Sequence, residues 1–118
     1  MSKNTILYVE DDKETLEILS VLLKEYFEKV YIAKNGAEGI DEYKKHMPNV
    51  VLSDVNMPKM DGFTMAKKIK KINKNQKIIL ISAYSGEDLN EKIKEAHIDY
   101  FLNKPVDFEY LLEILKNI

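Results

Sequence analysis

The stretch Lys77-Ile78-Ile79-Leu80-Ile81-Ser82 decides the fold. Its four central residues are apolar without polar alternation, which indicates a strand that is covered on both faces. Other short β-rich runs occur along the chain, and helix-like stretches separate them, so the sheet is predicted to be parallel. The predicted strands are Thr5–Val9, Lys29–Ala33, Asn49–Ser53, Lys77–Ser82 and Tyr100–Leu102.

Apolar residues three and four positions apart mark the helix-like stretches between and after these strands. Right-handed crossovers place such helices on both faces of a parallel sheet, which predicts an α/β, doubly wound fold. In this fold the ligand site lies beyond the carboxyl ends of the strands. The predicted helices are Glu14–Glu25, Ala37–Lys45, a third that carries Phe63, Met65, Ala66, Ile69 and Ile72, then Glu87–Ala96 and Phe108–Ile118.

The composition limits the function classes. A length of 118 residues predicts one domain spanning 1–118. With 18 basic and 20 acidic residues and no arginine, direct nucleic-acid binding is not expected. No cysteine is present, so thiolate metal sites and disulfides are excluded. The apolar runs are short and no leader-like segment opens the chain, so we expect a cytoplasmic protein that does not insert into a membrane.

Polar residues follow the predicted strands at the points where they end. Glu10 and Asp11 follow the first strand, and Asp54 follows the third. Parallel strands open their carboxyl ends on one edge, so these carboxylates should meet there and repel one another. A hard cation such as Mg²⁺ removes this conflict. The alternative is that acidic residues only cap the following helix, which fits Asp12 well.

Lys104, after the fifth strand, should face these carboxylates. It could simply form a structural salt bridge with Asp54. Alternatively it awaits a phosphoryl group on Asp54, which would add nearly two negative charges and three acceptor oxygens. The cation, Lys104 and the hydroxyl of Ser82 would then each meet one oxygen, together with the amide of Ala83. In that interpretation Asp54 is the nucleophile.

The ordered set of these residues resembles the receiver domains of two-component response regulators, from Thr5 to the last helix. The motifs that carry the resemblance are Glu10-Asp11, Asp54 followed by Met57-Pro58 and Gly62, Ser82-Ala83, and Lys104-Pro105. The resemblance implies a flavodoxin-like five-stranded sheet in the order 2-1-3-4-5. It also implies a cis Lys104–Pro105 bond.

The resemblance further implies how the domain becomes phosphorylated. Asp54 would accept phosphate from the phosphohistidine of a sensor histidine kinase or a phosphotransfer protein. Mg²⁺, with Mn²⁺ as an alternative ion, would be held by Asp11, Asp54 and the main-chain carbonyl of Asn56. Glu10 would contribute directly or through water. The domain would catalyse only its own phosphotransfer and dephosphorylation.

Family members also use a conformational switch, which this resemblance assigns to Ser82 and Phe101. The hydroxyl of Ser82 would move toward the phosphate, and Phe101 would turn inward behind it, with a bias toward the buried position. The alternative is that Phe101 is a plain core residue. Asn56 and Tyr84 flank the approach of a hydrolytic water, so a bulky Tyr84 predicts a long-lived phosphoryl state, and Tyr84→Ala should speed hydrolysis several-fold.

Some positions depart from the common pattern of the family. His97 stands where a glycine often ends the helix, so it is predicted to adopt positive φ. Tyr100, Tyr110 and Ile114 occupy positions on the face of the fourth helix, fifth strand and fifth helix where DNA-binding members place charges. This makes the face more apolar and suited to a partner protein. The downstream partner is an unknown protein or a fused output domain, and a phosphorylation-dependent homodimer is left open.

Two other functions of the same fold are weaker interpretations than the phospho-acceptor switch. A flavin- or nucleotide-binding domain needs glycine- or hydroxyl-rich backbone after the first strand, where this chain has three acidic residues. A phosphohydrolase using Asp54 as its nucleophile needs a general base and a lid, for which the chain has no spare length.

Overall fold

A computed structural model describes residues 4–83 and 85–118. Strands and helices alternate along this part of the chain. The strands are β1 Thr5–Val9, β2 Lys29–Ala33, β3 Val50–Asp54, β4 Lys77–Ser82 and β5 Tyr100–Asn103. The helices are α1 Lys13–Leu23, α2 Gly36–His46, α3 Gly62–Ile72, α4 Leu89–Ala96 and α5 Phe108–Lys116.

The five strands form one parallel sheet in the order β2-β1-β3-β4-β5, which confirms the predicted fold. The chain order reverses between β1 and β3, so the switch point lies where these two strands end. In β3 every residue is buried, as expected of the central strand of a sheet with helices on both faces.

Two apolar layers cover the sheet, one on each face. On one face, side chains such as Leu7, Val51 and Leu80 pack against α2, α3 and α4. On the other face, Leu52 and Ile79 pack among residues of α1 and α5. Alternate residues of a strand point to opposite faces, so each buried strand contributes to both layers.

Side-chain caps fix where α1, α2, α3 and α5 begin. The side chain of Asp12 accepts a hydrogen bond from the backbone N–H of Thr15 at 3.0 Å, as the capping alternative predicted. His97 caps the carboxyl end of α4, and its φ of 55° confirms the predicted left-handed conformation. Met47 caps the carboxyl end of α2 in the same conformation, which was not predicted.

Several predicted boundaries differ from the structure by one or two residues. Strand β3 begins at Val50 and includes Asp54, because Asp54 pairs in register with Ile81 of β4. Strand β5 extends to Asn103, which pairs with Ser82. Helix α4 begins at Leu89, after a turn in which the N–H of Leu89 donates to the carbonyl of Gly86.

Gly62 allows the loop after β3 to return close to that strand. A Cβ atom at this position would lie 2.5 Å from the carbonyl oxygen of Asp54 and 3.0 Å from the Cα atom of Val55. The N–H of Gly62 instead donates to the carbonyl of Val55 at 2.8 Å. This close approach fixes the backbone around Asp54.

Over residues 4–83 and 85–118, no helix is both long and apolar enough to cross a membrane.

Candidate functional site

Three carboxylates meet where β1 and β3 end. Glu10, Asp11 and Asp54 each offer one oxygen, and these oxygens all lie within 4.8 Å of one another. Glu10 and Asp54 are buried, and Asp11 is exposed. The structure therefore brings together the side chains that the sequence predicted as a metal site. Such a set of oxygen donors suits Mg²⁺, because this ion binds through one or two carboxylates and retains waters.

Asp54 is buried and has two differently engaged oxygens. Its Oδ2 atom accepts a hydrogen bond from Nζ of Lys104 at 3.2 Å. Its Oδ1 atom is buried, and no hydrogen-bond partner for it lies in the described part of the chain. A buried carboxylate oxygen without a partner is costly, and a bound cation would satisfy it. Asp54 thus fits a site that holds a metal ion.

Both oxygens of the Glu10 carboxylate accept hydrogen bonds from the protein. The hydroxyl of Tyr8 donates to Oε1 at 3.3 Å, and the backbone N–H of Asp12 donates to Oε2 at 3.2 Å. Burial, followed by repulsion from the charge of Asp54, raises the pKa of Glu10 to about 7. Burial also raises the pKa of Tyr8, so its hydroxyl stays a neutral donor.

Ser82 and Lys104 lie next to each other at the ends of β4 and β5. Ser82 is fully buried, and the backbone N–H of Lys104 donates to its carbonyl at 3.1 Å. The side-chain amide of Asn56 donates to Oγ of Ser82 at 3.4 Å. Ala83 follows in an exposed bend. The Lys104–Pro105 bond is cis, as the resemblance implied.

The remaining site prediction concerns Tyr84, which lies outside the described residues. Asn56 is the other residue predicted to affect the hydrolysis rate. It is exposed and reaches the edge of the site through its contact with Ser82.

Phe101 is half-buried rather than fully buried. Its ring packs against the apolar layer under α3 and lies parallel to the ring of Phe63, with 6.2 Å between the ring centroids. Tyr100 and Tyr110 expose 39% and 53% of their surface, as expected for the apolar face. Ile114 is only 6% exposed, so the expectation that it contributes to that face is wrong. It packs with α1 and the sheet because it lies one turn from Leu111 on the buried stripe of α5.

Sequence reasoning missed Tyr8. This residue precedes Glu10 by two positions at the end of β1, and residues two apart in an extended segment point to the same side. The spacing of Tyr8 from Glu10 therefore indicated, in the sequence itself, that the tyrosine side chain would lie beside the carboxylate.

Comparisons with known proteins agree with this geometry. The family model described as "Response regulator receiver domain" matches residues 6–116. The chain is 37% identical to the chemotaxis protein CheY of Bacillus subtilis over 98 residues, which are 83% of this chain and 82% of that relative.

Two solved structures have the same fold. One is the N-terminal domain of an uncharacterized protein from Wolinella succinogenes, with a TM-score of 0.90 and 35% identity over 97% of this chain and 92% of that one. The other is the CheX–CheY–BeF₃–Mg²⁺ complex of Borrelia burgdorferi, with a TM-score of 0.87 and 30% identity over 98% of this chain and 89% of that one. The chain therefore belongs to the response regulator receiver domains, the Mg²⁺-dependent regulatory phospho-acceptors of two-component signalling.

Proposed function

We propose that Asp54 is the residue that accepts the phosphoryl group, and that a histidine kinase or phosphotransfer protein donates it. The observation that carries this proposal is the environment of the Asp54 carboxylate. One of its oxygens contacts Lys104, and the other is buried without a hydrogen-bond partner among the described residues. A carboxylate oxygen of Asp54 also lies within 4.8 Å of those of Glu10 and Asp11. A structural salt bridge alone accounts for the first contact, but not for two further carboxylates gathered at the same point.

In the proposed transfer, an oxygen of Asp54 forms a bond to the phosphorus of a phosphohistidine. The phosphorus–nitrogen bond breaks, and the imidazole leaves with the bonding electron pair and takes up a proton. Asp54 becomes an acyl phosphate with nearly two negative charges. Because little covalent chemistry is left to the protein in such a step, its residues act by positioning groups and neutralising charge.

The ligands that we assign to Mg²⁺ are Asp11, Asp54 and the main-chain carbonyl of Asn56. When bound, the ion neutralises the carboxylates and the charge that develops on the phosphoryl oxygens. Glu10 supports this site with a carboxylate that is already held by two hydrogen bonds. That arrangement favours a contribution of Glu10 through a bound water.

The phosphate-binding groups that we assign are Lys104, the hydroxyl of Ser82 and the amide of Ala83. Lys104 is already in contact with Asp54, so its ammonium group is in place for the incoming charge. Ser82 is held at the end of β4 with its hydroxyl near Asn56. We infer that the Ser82 hydroxyl moves from Asn56 to the phosphoryl group when Asp54 is phosphorylated.

The output surface that we propose is the face formed by α4, β5 and α5. Its exposed aromatic residues, Tyr100 and Tyr110, suit a partner protein or an output domain of the same regulator. Phe101 couples this face to the site, because it lies on β5, is half-buried and stacks on Phe63 at the start of α3. The domain has no reaction of its own beyond its phosphorylation and dephosphorylation.

Phosphorylation by a small phosphodonor with Mg²⁺, followed by intact mass spectrometry, tests the assignment of Asp54. The protein should gain one phosphate, and Asp54→Asn should gain none. Asp61→Asn is the matched control, because asparagine caps a helix as well as aspartate and Asp61 caps α3. Equal phosphate addition to the Asp54→Asn variant would refute the assignment. Steady turnover of the donor without a covalent adduct would instead indicate a phosphohydrolase.

A further inference from the structure

We propose that Tyr8 is a positioning residue of the Mg²⁺ site, acting through its hydrogen bond to Glu10. This inference rests on the proposed function in so far as the carboxylate cluster binds Mg²⁺. The side chain of Tyr8 is 1% exposed, and its hydroxyl donates to Oε1 of Glu10 at 3.3 Å. Strand β1 ends between the two residues, and their spacing directs both side chains to the same side.

The contact fixes the orientation of the Glu10 carboxylate. The backbone N–H of Asp12 holds the second oxygen at 3.2 Å, so the two donors leave the carboxylate one orientation relative to Asp11 and Asp54. Each carboxylate oxygen has two lone pairs, so both can still face a cation or its water. Hydrogen bonds from outside the ligand set tune the affinity of a site for its metal in this way.

A merely structural role for the Tyr8 hydroxyl is the competing explanation, since a buried tyrosine hydroxyl normally finds some acceptor. The chain provides a matched comparison in Tyr43. That side chain is also fully buried, and its hydroxyl donates to Oε1 of Gln76 at 2.7 Å. Tyr43 packs in the apolar layer on the opposite face of the sheet, away from the carboxylates. Removing either hydroxyl deletes one buried hydrogen bond, but only Tyr8 touches the site.

The test is Mg²⁺ titration of the unphosphorylated protein by calorimetry, with Tyr8→Phe and Tyr43→Phe compared to the wild type. Tyr8→Phe should raise the Kd for Mg²⁺ about tenfold, at the lower end of the effect of outer hydrogen bonds on metal affinity because the contact is long. Tyr43→Phe should leave the Kd unchanged. In phosphorylation by a small donor, Tyr8→Phe should raise the Mg²⁺ concentration needed for half-maximal rate, with the rate at saturating Mg²⁺ unchanged.

A double-mutant cycle separates positioning from general destabilisation. In a Glu10→Ala background, adding Tyr8→Phe should change the Kd for Mg²⁺ no further. An unchanged Kd in the single variant, or an equal rise in Tyr8→Phe and Tyr43→Phe, would overturn the inference.

Should Tyr8→Phe fail to fold, NMR of the wild-type protein provides the test. The ring resonances of Tyr8 should shift as Mg²⁺ is added, with the same midpoint as the calorimetric titration. The ring resonances of Tyr43 should not shift. An unmoved Tyr8 resonance would contradict the inference. The calorimetric and NMR titrations use no phosphodonor. Failure of Asp54 to accept phosphate would therefore be detected separately, by mass spectrometry.

Discussion

The strongest test of the carboxylate cluster is Glu10→Gln in the absence of metal. The folded protein must ionise Glu10 beside Asp54, and its pKa is raised from 4.5 to about 7. Above pH 7 that ionisation costs on the order of 3 kcal/mol, because a tenfold change in an equilibrium constant corresponds to about 1.4 kcal/mol. Glutamine carries no charge, and its amide can still pair with the hydroxyl of Tyr8 and the N–H of Asp12. We therefore expect Glu10→Gln to be more stable than the wild type at about pH 8 without Mg²⁺.

The dependence on pH has a definite sign. Because the pKa of Glu10 is higher in the folded state than in the unfolded state, its stabilising contribution is complete below about pH 4.5 and is lost as the pH rises through about 7. Glu10→Gln removes this loss. The stability advantage of Glu10→Gln over the wild type should therefore grow as the pH rises from about 4.5 to about 7. A change of this size corresponds to roughly 10 °C in Tm for a chain of this length.

Thermal unfolding followed by circular dichroism, with a chelator and then with saturating Mg²⁺, measures the effect. Glu17→Gln, at an exposed position of α1, is the matched control for removing one negative charge. Mg²⁺ should stabilise the wild type more than Glu10→Gln, since the ion offsets the repulsion that the substitution already removes. A Glu10→Gln variant that is less stable than the wild type at about pH 8 without metal would refute this account of the cluster.

Three further predictions concern the framework of the site, and urea unfolding measures each. Gly62→Ala should lower the free energy of unfolding by about 2 kcal/mol, because its Cβ would lie 2.5 Å from the carbonyl oxygen of Asp54; an unchanged midpoint would show that the loop can move away. Asp12→Ala should cost about 1 kcal/mol through loss of the cap on Thr15, whereas Asp12→Asn should cost little, and equal losses would argue against capping. His97→Gly should stabilise the protein by about 1 kcal/mol, because a φ of 55° strains a residue that has a Cβ atom. A loss of stability would mean that the imidazole makes contacts worth more than this strain.

The fold was predictable because continuous apolar runs and helical spacing agree along the whole chain. Parallel strands carry their carboxyl ends to one edge, so the meeting of Glu10, Asp11 and Asp54 followed from the order of elements alone. Strand ends were less predictable. Asp54 belongs to β3 because it pairs with Ile81, and such pairing depends on the neighbouring strand rather than on local sequence.

The errors have identifiable physical causes. The resemblance placed Ile114 on an exposed face, although its spacing from Leu111 and Leu115 places all three on the buried stripe of α5. The left-handed conformation of Met47 had no signal, because methionine has no preference for it. The pairing of Tyr8 with Glu10 was overlooked because the prediction considered the residues that follow the strands and not those within them.

The placement of Asp54 at the end of β3 has a mechanical consequence. All five residues of that strand are buried, and β1 and β4 flank it on either side. A side chain at such a closely packed position cannot move to accommodate new charge without disturbing the packing around it. We therefore expect the groups around Asp54, rather than Asp54 itself, to move when the domain is phosphorylated.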